Sequence, residues 1–399
     1  MNIYLDKLCS IASADSRMII GLMSGTSLDG LDVALCRFTG SGLKTRIEMI
    51  HFETVSYKND FKEEIRSVFS KRNVDLEKLC VLNGWVAQQH AAMILDCLKK
   101  WKIRPAEVDL LASHGQTIYH APKLSHPQDR FGNATLQIGD GDQLAVSTGI
   151  ITLSDFRQKH IAAGGEGAPL AVYGDYFIFS KKGENRIMLN IGGIANFTYL
   201  PGSLDTTAIF STDTGPGNTL MDAYVEQHFQ LPYDKNAAIA RQGTVNEELL
   251  QQLLQHPFFE KGFPKTTGPE LFNLSYVETA ILLTGIDAIS HFDVMATINL
   301  FSAVTIADAL KRNLQEGVAC SIYTSGGGMH NPLLMQHMQE LLPNYTFHTT
   351  DALLINPDAK EALLFAVLAN ECVAGGNTPI GNGTKDIPSV SMGKISLPG

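Results

Sequence analysis

Four stretches rich in glycine and hydroxyl residues stand where apolar runs end, and each leaves backbone N–H groups open to an anion. The first is Gly21 to Gly30, GLMSGTSLDG, set between the apolar run Met18-Ile19-Ile20 and a second run from Leu31 to Phe38. Its glycines permit backbone torsions and close approaches that a side chain would block, and Ser24, Thr26 and Ser27 add hydroxyls. Such a tip suits a phosphate; taken alone, it equally suits a tight β-hairpin whose glycines serve only the turn. The others surround Gly192 and Gly193 (NIGGIAN), Gly215 (DTGPGN) and Gly326 to Gly328 (SGGGMHNP). Together they fit a nucleotide whose phosphates are gripped by backbone N–H groups of two related halves, with the last turn, preceding a helix, against adenosine. No GxxxxGK[ST] occurs and no GxGxxG follows a strand, so neither a P-loop nor a dinucleotide site is expected.

The elements that position these turns follow from periodicity. Residues 18–20 and 31–38 read as a hairpin, 60–70 and 75–101 as helices, and 108–117 as a buried strand carrying His114 and Gln116 at its polar end. A proline- and charge-rich tract spans 121–133. Another strand, 134–138, carries Gln137, and the run from Gly149 ends on Asp155 and Arg157. Residues 186–200 repeat the opening pattern of strand, glycine turn and strand more than 160 residues later, so the repeated unit is a whole lobe. A strand at 207–212, helices at 219–230 and 294–314, a strand at 319–324 and a helix at 359–372 complete the outline.

A chain of 399 residues exceeds the size at which one core keeps growing, so two lobes are expected. A net charge of −10 argues against nucleic acid or an anionic membrane as partner. The six cysteines show no paired or metal-ligand spacing, the first seventeen residues contain no continuous apolar core, and no run of about 18 apolar residues appears. A cytoplasmic protein is expected.

Eight motifs, in order, resemble the anhydro-N-acetylmuramic acid kinase family of the actin, sugar kinase and Hsp70 superfamily. They are MSGTSLDG (23–30), SHGQT (113–117), TLQIGD (135–140), DFR (155–157), GGEGAP (164–169), NIGGIAN (190–196), DTGPGN (213–218) and GGGMHNP (326–332). The resemblance implies two duplicated α/β lobes of ribonuclease-H type with a nucleotide cleft between them. It also implies ATP, Mg²⁺ and peptidoglycan recycling, in which 1,6-anhydro-N-acetylmuramic acid becomes N-acetylmuramic acid 6-phosphate. In that sugar O6 is tied to C1, so ring opening by water and phosphoryl transfer must share one site.

By the same resemblance the base that activates this water is Asp213 and its partner is Glu361. Asp155 competes for the base role, but with Arg157 it is assigned to the sugar, as are His114, Gln116 and Gln137. ATP falls on Gly25, Thr26, Ser27, Leu28, Asp29, Gly30, Leu31, Asp32, Gly192, Gly193, Asn196, Gly215, Asn218, Gly326, Gly327, Gly328 and Asn331. Asp29 and Asp32 are the expected acids near Mg²⁺, through water. The chain departs from many relatives in having Gly21-Leu-Met-Ser24 where an acid commonly precedes the first turn, which leaves the direct metal ligand open. The expected division is a first lobe over 1–157, a second over 158–378, and a tail over 379–399 assigned to neither. An ordinary sugar kinase acting on a free hydroxyl stays as an alternative. So does an ATP-gated actin- or Hsp70-like binding protein, though a chaperone would need a peptide-binding domain for which this length leaves no room. A homodimer is left open beside a monomer.

Overall fold

The computed structural model describes residues 2–123, 126–286, 288–313, 319–376, 378–380 and 387–399. Positions 124–125 of the charge-rich tract, Leu314 at the end of an expected helix and 381–386 of the tail lie outside them. The chain divides into two compact units, 1–180 with 206–208 and 359–399, and 181–205 with 209–358.

In chain order the first unit contains α1 (Ile3–Ser13), β1 (Ser16–Ser24), β2 (Gly30–Thr39), β3 (Arg46–Ser56), α2 (Asn59–Val68), α3 (Leu76–Trp101), β4 (Leu110–Ala121), β5 (Ala134–Ile138), α4 (Gly141–Thr148), β6 (Ile151–Ser154), α5 (Phe156–Ala162) and α6 (Ala171–Phe179). The second contains β7 (Asn185–Ile191), β8 (Ile194–Leu200), β9 (Phe210–Pro216), α7 (Thr219–Phe229), α8 (Glu247–Leu254), α9 (Leu274–Thr284), α10 (His291–Asn313), β10 (Cys320–Ser325), α11 (Pro332–Leu341) and β11 (Phe347–Thr349). The chain then returns to the first unit with α12 (Lys360–Ala374) and β12 (Lys394–Ser396).

The first sheet runs β12-β6-β4-β1-β2-β3, with β5 also on β4, and the second runs β11-β10-β7-β8-β9. In each, three antiparallel strands are followed by two parallel ones, the fourth pairing with the first and the fifth with the fourth. The shared core β3-β2-β1-β4-β6 therefore has the same order as β9-β8-β7-β10-β11, and the two expected duplicated α/β lobes are present.

Strand burial explains the continuous apolar runs. Ile20, Leu22, Leu31, Val33 and Leu35 face a core completed by Phe61, Ile65, Val86 and Ile94 of α2 and α3. Their alternates Ile19, Gly21, Ala34 and Cys36 turn to the other face, where α12 packs on β1. Gly21 makes this approach possible, because a Cβ there would stand 1.9 Å from the Ala362 carbonyl oxygen and 3.1 Å from Ala366 Cβ. Gly21→Ala must push the first turns of α12 outward. It is expected to lower stability by about 2 kcal/mol, as overpacked cores do, and to reduce turnover by displacing the neighbouring Glu361. An unchanged melting midpoint would refute this packing argument.

The unit boundary differs from the expected one. Residues 158–180 and the helix after Ala359 belong to the first unit, because α6 buries Val172, Tyr173, Tyr176 and Phe179 and packs on α12. A helix apolar all round cannot reveal from sequence which sheet it covers. The tail joins the same unit through β12, antiparallel to β6. Helix α10 is long and apolar enough to cross a membrane by length and composition. Here it is the core helix of the second unit, with Val294, Ile298, Phe301, Ile306 and Leu310 buried with Ile187, Leu189 and Phe197.

Candidate active site

The Gly25 turn joins β1 to β2 as expected, with Thr26, Ser27 and Asp29 exposed at its tip. Leu28, with φ at +60°, is driven inward as a plug, and Leu31 is also core; of these two, only the backbone is placed to serve a ligand. Beneath the tip lies a buried polar chain. Ser24 Oγ donates to Gln116 Oε1, Tyr57 Oη lies 2.6 Å from Ser24 Oγ, and Tyr57 Oη lies 2.9 Å from His90 Nε2. Burial pushes His90 down to about 4, so it is neutral. Gln116 is fully buried, and its amide also reaches the carbonyls of Gly25 and Thr117, at 3.4 and 3.3 Å. It props the turn, where a sugar contact was expected, because β4 lies parallel beside β1 and turns this side chain inward.

A second cluster of the first unit is built on β4, α5 and α12. His114 Nδ1 donates to the Gly115 carbonyl at 2.8 Å, which leaves Nε2 to accept from Arg157 Nε at 2.9 Å. Burial first, and the Arg157 charge second, hold His114 well below the ordinary histidine range. Arg157 Nη1 donates to the Gly167 carbonyl at 2.6 Å, and burial lowers this guanidinium to about 10, still cationic at neutral pH. Glu361 stands in the first turn of α12 with its surface accessible, yet desolvation by the protein around it raises its carboxyl first of all. Lys360 and Arg157 pull it down and Asp32 pushes it up, so these four charges share one neighbourhood. Lys360 is itself paired with buried Asp175 at 2.9 Å, which fixes the start of α12. Gln137 donates to Thr135 and Thr117 hydroxyls at 2.8 and 3.2 Å and leaves its buried Oε1 without a partner among the described residues.

Asp155 stands at the end of β6. Its carboxylate is paired with Lys394 of β12 and its backbone is left-handed, with φ at +56°. The residue ties the C-terminal strand to the end of β6; sequence cannot foresee a partner 239 positions away. Asp29 and Asp32 flank the start of β2, and Asp32 Oδ1 accepts from Thr54 Oγ1 at 2.5 Å. Among the described residues no three histidine, cysteine or carboxylate side chains gather to hold a metal.

In the second unit three glycine turns converge. The carbonyl of Gly192 accepts from Asn218 N at 2.8 Å, and that of Gly193 from Gly217 N at 2.8 Å and Thr219 N at 3.0 Å. Gly217 has no room for a Cβ, which would meet the Gly192 carbonyl oxygen at 2.2 Å. The Gly326 to Gly328 turn follows β10, parallel to β7, and Ser325 Oγ donates to Asn190 Oδ1 at 3.4 Å. Gly327 lies beside the Asn218 amide. Asn331 caps α11 with its Oδ1, accepting from Leu333 N and Leu334 N at 3.2 and 3.0 Å. An asparagine before proline is also a helix-cap signature, and that role is the one filled here.

Asn190, Asn196 and Asp213 are register partners across β7, β8 and β9. Half-buried Asp213 is gripped by the chain after α8: its N–H donates to the Lys265 carbonyl at 2.9 Å, and Thr267 N–H donates to its Oδ2 at 2.8 Å. Burial raises the carboxyl to about 6, the Thr267 N–H holds it down, and the Glu270 charge pushes it up. A carboxylate with that value, and with one oxygen uncapped among the described residues, has the properties of a general base near neutral pH.

A family model described as anhydro-N-acetylmuramic acid kinase matches residues 17–397. The chain belongs to this family. A relative of that name from Pseudoalteromonas atlantica is 58% identical over the full length of both chains. Another, from Caldanaerobacter subterraneus subsp. tengcongensis, is 37% identical over 98% of this chain and 100% of its own. Among solved structures, the activator of 2-hydroxyisocaproyl-CoA dehydratase from Clostridium difficile with bound ADPNP aligns over 90% of this chain and 96% of its own. Its identity is 12% and its TM-score 0.41.

Sequence reasoning passed over three residues, one inside a motif of the anhydro-N-acetylmuramic acid kinase family and two outside them. Asn190 opens the same NIGGIAN motif as Asn196 and lies one strand away. Thr267 sits in a glycine- and proline-bearing stretch that read only as an interruption between helices. Lys360 precedes Glu361, and its burial depends on Asp175 of a distant helix.

Proposed function

We propose that Asp213 and Glu361 open the anhydro ring and that the glycine turns hold ATP for the transfer that follows. The chain's activity is that of its family: an ATP-dependent kinase converting 1,6-anhydro-N-acetylmuramic acid to N-acetylmuramic acid 6-phosphate in peptidoglycan recycling. The observation that carries the mechanism is the half-buried Asp213, raised to about 6, with one oxygen held by the Thr267 N–H. Asp213 takes a proton from water as the water oxygen bonds to C1. Glu361 orients that water, and the C1–O6 bond breaks with its electron pair on O6. O6 then bonds to the γ-phosphorus, and the bond from phosphorus to the ADP oxygen breaks. Arg157, whose Nη2 makes no hydrogen bond among the described residues, receives an oxygen of the sugar. Gln137 offers its orphaned Oε1 to a sugar hydroxyl.

The turn at Gly25 to Asp29 and the Gly192–Gly193 turn present N–H groups to phosphate, the Gly215 to Asn218 turn braces the latter through the N–H groups of Gly217 and Asn218, and Gly326 to Gly328 backs the adenosine. Asp29 and Asp32 supply hard oxygens that fit Mg²⁺ keeping much of its water shell, the usual state of this ion at phosphate sites. Bound there, the ion would neutralise charge developing on the transferred phosphoryl group. The six cysteines are free thiols, which suits a cytoplasmic setting.

The test is mass analysis of product made from ATP and the anhydro sugar in ¹⁸O-water. One phosphate on O6 and one ¹⁸O at C1 are expected, beyond the label acquired by finished product left in the same water. Product without that solvent oxygen would show that the ring is not opened by water and would favour transfer to a free hydroxyl.

A further inference from the structure

We propose that Lys265 is a positioning residue for Asp213. Its ammonium, ringed by Phe258, Phe259 and Phe263, holds the chain from Pro257 to Glu270 along β9 so that the Thr267 N–H stays on the Asp213 carboxylate. The inference rests on the reading of Asp213 as base.

The Lys265 side chain is buried, and among the described residues no carboxylate pairs with it. Nζ donates to the Phe258 carbonyl at 3.0 Å and lies 4.3 Å from the Phe258 ring centroid, 5.6 Å from that of Phe263 and 5.7 Å from that of Phe259. Burying a cation without a counter-ion is unfavourable, and here aromatic faces and one carbonyl are all that offset it. Burial lowers the ammonium to about 8, with Arg312 and Lys261 adding to the effect.

The same residue carries the backbone links to β9. Lys265 N–H donates to Thr212 Oγ1 at 3.0 Å, and the Lys265 carbonyl accepts from Asp213 N at 2.9 Å and from Thr212 Oγ1 at 3.3 Å. Two residues further on, Thr267 N–H reaches Asp213 Oδ2. The side chain thus folds the segment back on Phe258 while the backbone docks it on β9, the edge strand of its sheet. Arg312 of α10 secures the far side by donating from Nη1 to the Phe259 carbonyl at 2.6 Å. The charged groups facing this arrangement are Glu270, acting on Asp213, and Arg312 and Lys261, acting on Lys265. The clamp sets how firmly one N–H holds the carboxylate, and so the pH at which the base becomes available.

The experiment is the pH profile of kcat/KM for Lys265→Met, which keeps length and apolar bulk but removes the charge and donor. Thr267→Pro, which removes the N–H along with the threonine hydroxyl, and the double variant are measured beside it. A lost hydrogen bond to a charged group corresponds to about one unit in pKa, so each single variant should move the acid limb up by about one unit. The double variant should move it no further. K265M that melts cooperatively and keeps the wild-type limb overturns the proposal. Should K265M fail to fold, K265R and T267P decide: a wild-type limb in K265R with a raised limb in T267P upholds the clamp, and any other pattern overturns it. D213N with wild-type turnover would remove the base assignment itself. D213N inactive, with the K265M limb unmoved, would remove only the clamp.

Discussion

Asp213→Asn is expected to lower kcat by roughly 10² to 10⁴-fold, the range for loss of a general base, while ATP affinity changes little. The amide keeps the shape of the carboxylate and can still accept from Thr267 N–H, so the loss reports proton transfer rather than collapse of the turn. Wild-type activity should fall on the acid side of about pH 6, where Asp213 takes up its proton in the folded protein. Stability should move the opposite way. The folded pKa of about 6 is raised above the ordinary aspartate value, so the folded state favours the protonated form. The stabilisation this gives is complete below the unfolded value and is lost as pH rises through 4 to 6. Above pH 6, two units correspond to about 3 kcal/mol that a neutral side chain would not lose. D213N should therefore be inactive and melt higher than wild type at pH 7.5, with the difference closing near pH 4. Activity near wild type in D213N, together with loss of turnover in Asp155→Asn, would transfer the base role to Asp155.

Glu361→Gln is expected to lower kcat by roughly 10 to 100-fold, less than the loss at Asp213. Orienting a water through a charged hydrogen bond contributes about 1.5–3 kcal/mol to the barrier. The glutamine remains in the first turn of α12, whose seat is fixed by the Lys360–Asp175 pair and by the close approach to Gly21. Folding and sugar affinity should be nearly retained. If both carboxylates act on one water, the double variant with D213N should cost less than the sum of the two free-energy losses. Strict additivity in that cycle would mean that the two side chains serve separate steps, and the proposed pair would fail.

The duplicated sheet architecture and the glycine turns were legible in the sequence because they rest on local rules. Continuous apolar runs make strands buried on both faces, and glycine is required wherever backbones approach closely, as at Gly217 against the Gly192 carbonyl. What the sequence could not determine is the direction in which polar side chains near those turns point. Gln116 lies inside, propping the Gly25 turn; Asn331 caps a helix; Asp155 is tied to Lys394. For Gln116 and Asp155 the outcome was decided by a partner brought up by strand pairing from far along the chain, whereas Asn331 follows a local capping signal, with partners two and three residues on. The unit boundary failed to show for a related reason, since α6 and α12 are buried on nearly every side and only their packing reveals which sheet they cover. The electrostatics of Asp213 belong wholly to tertiary structure. Its strand end was visible in DTGPGN, but the N–H that holds it and the carboxylate that pushes against it come from Thr267 and Glu270, more than fifty residues away. Burial sets the strength of both effects, and burial is a property of the folded chain.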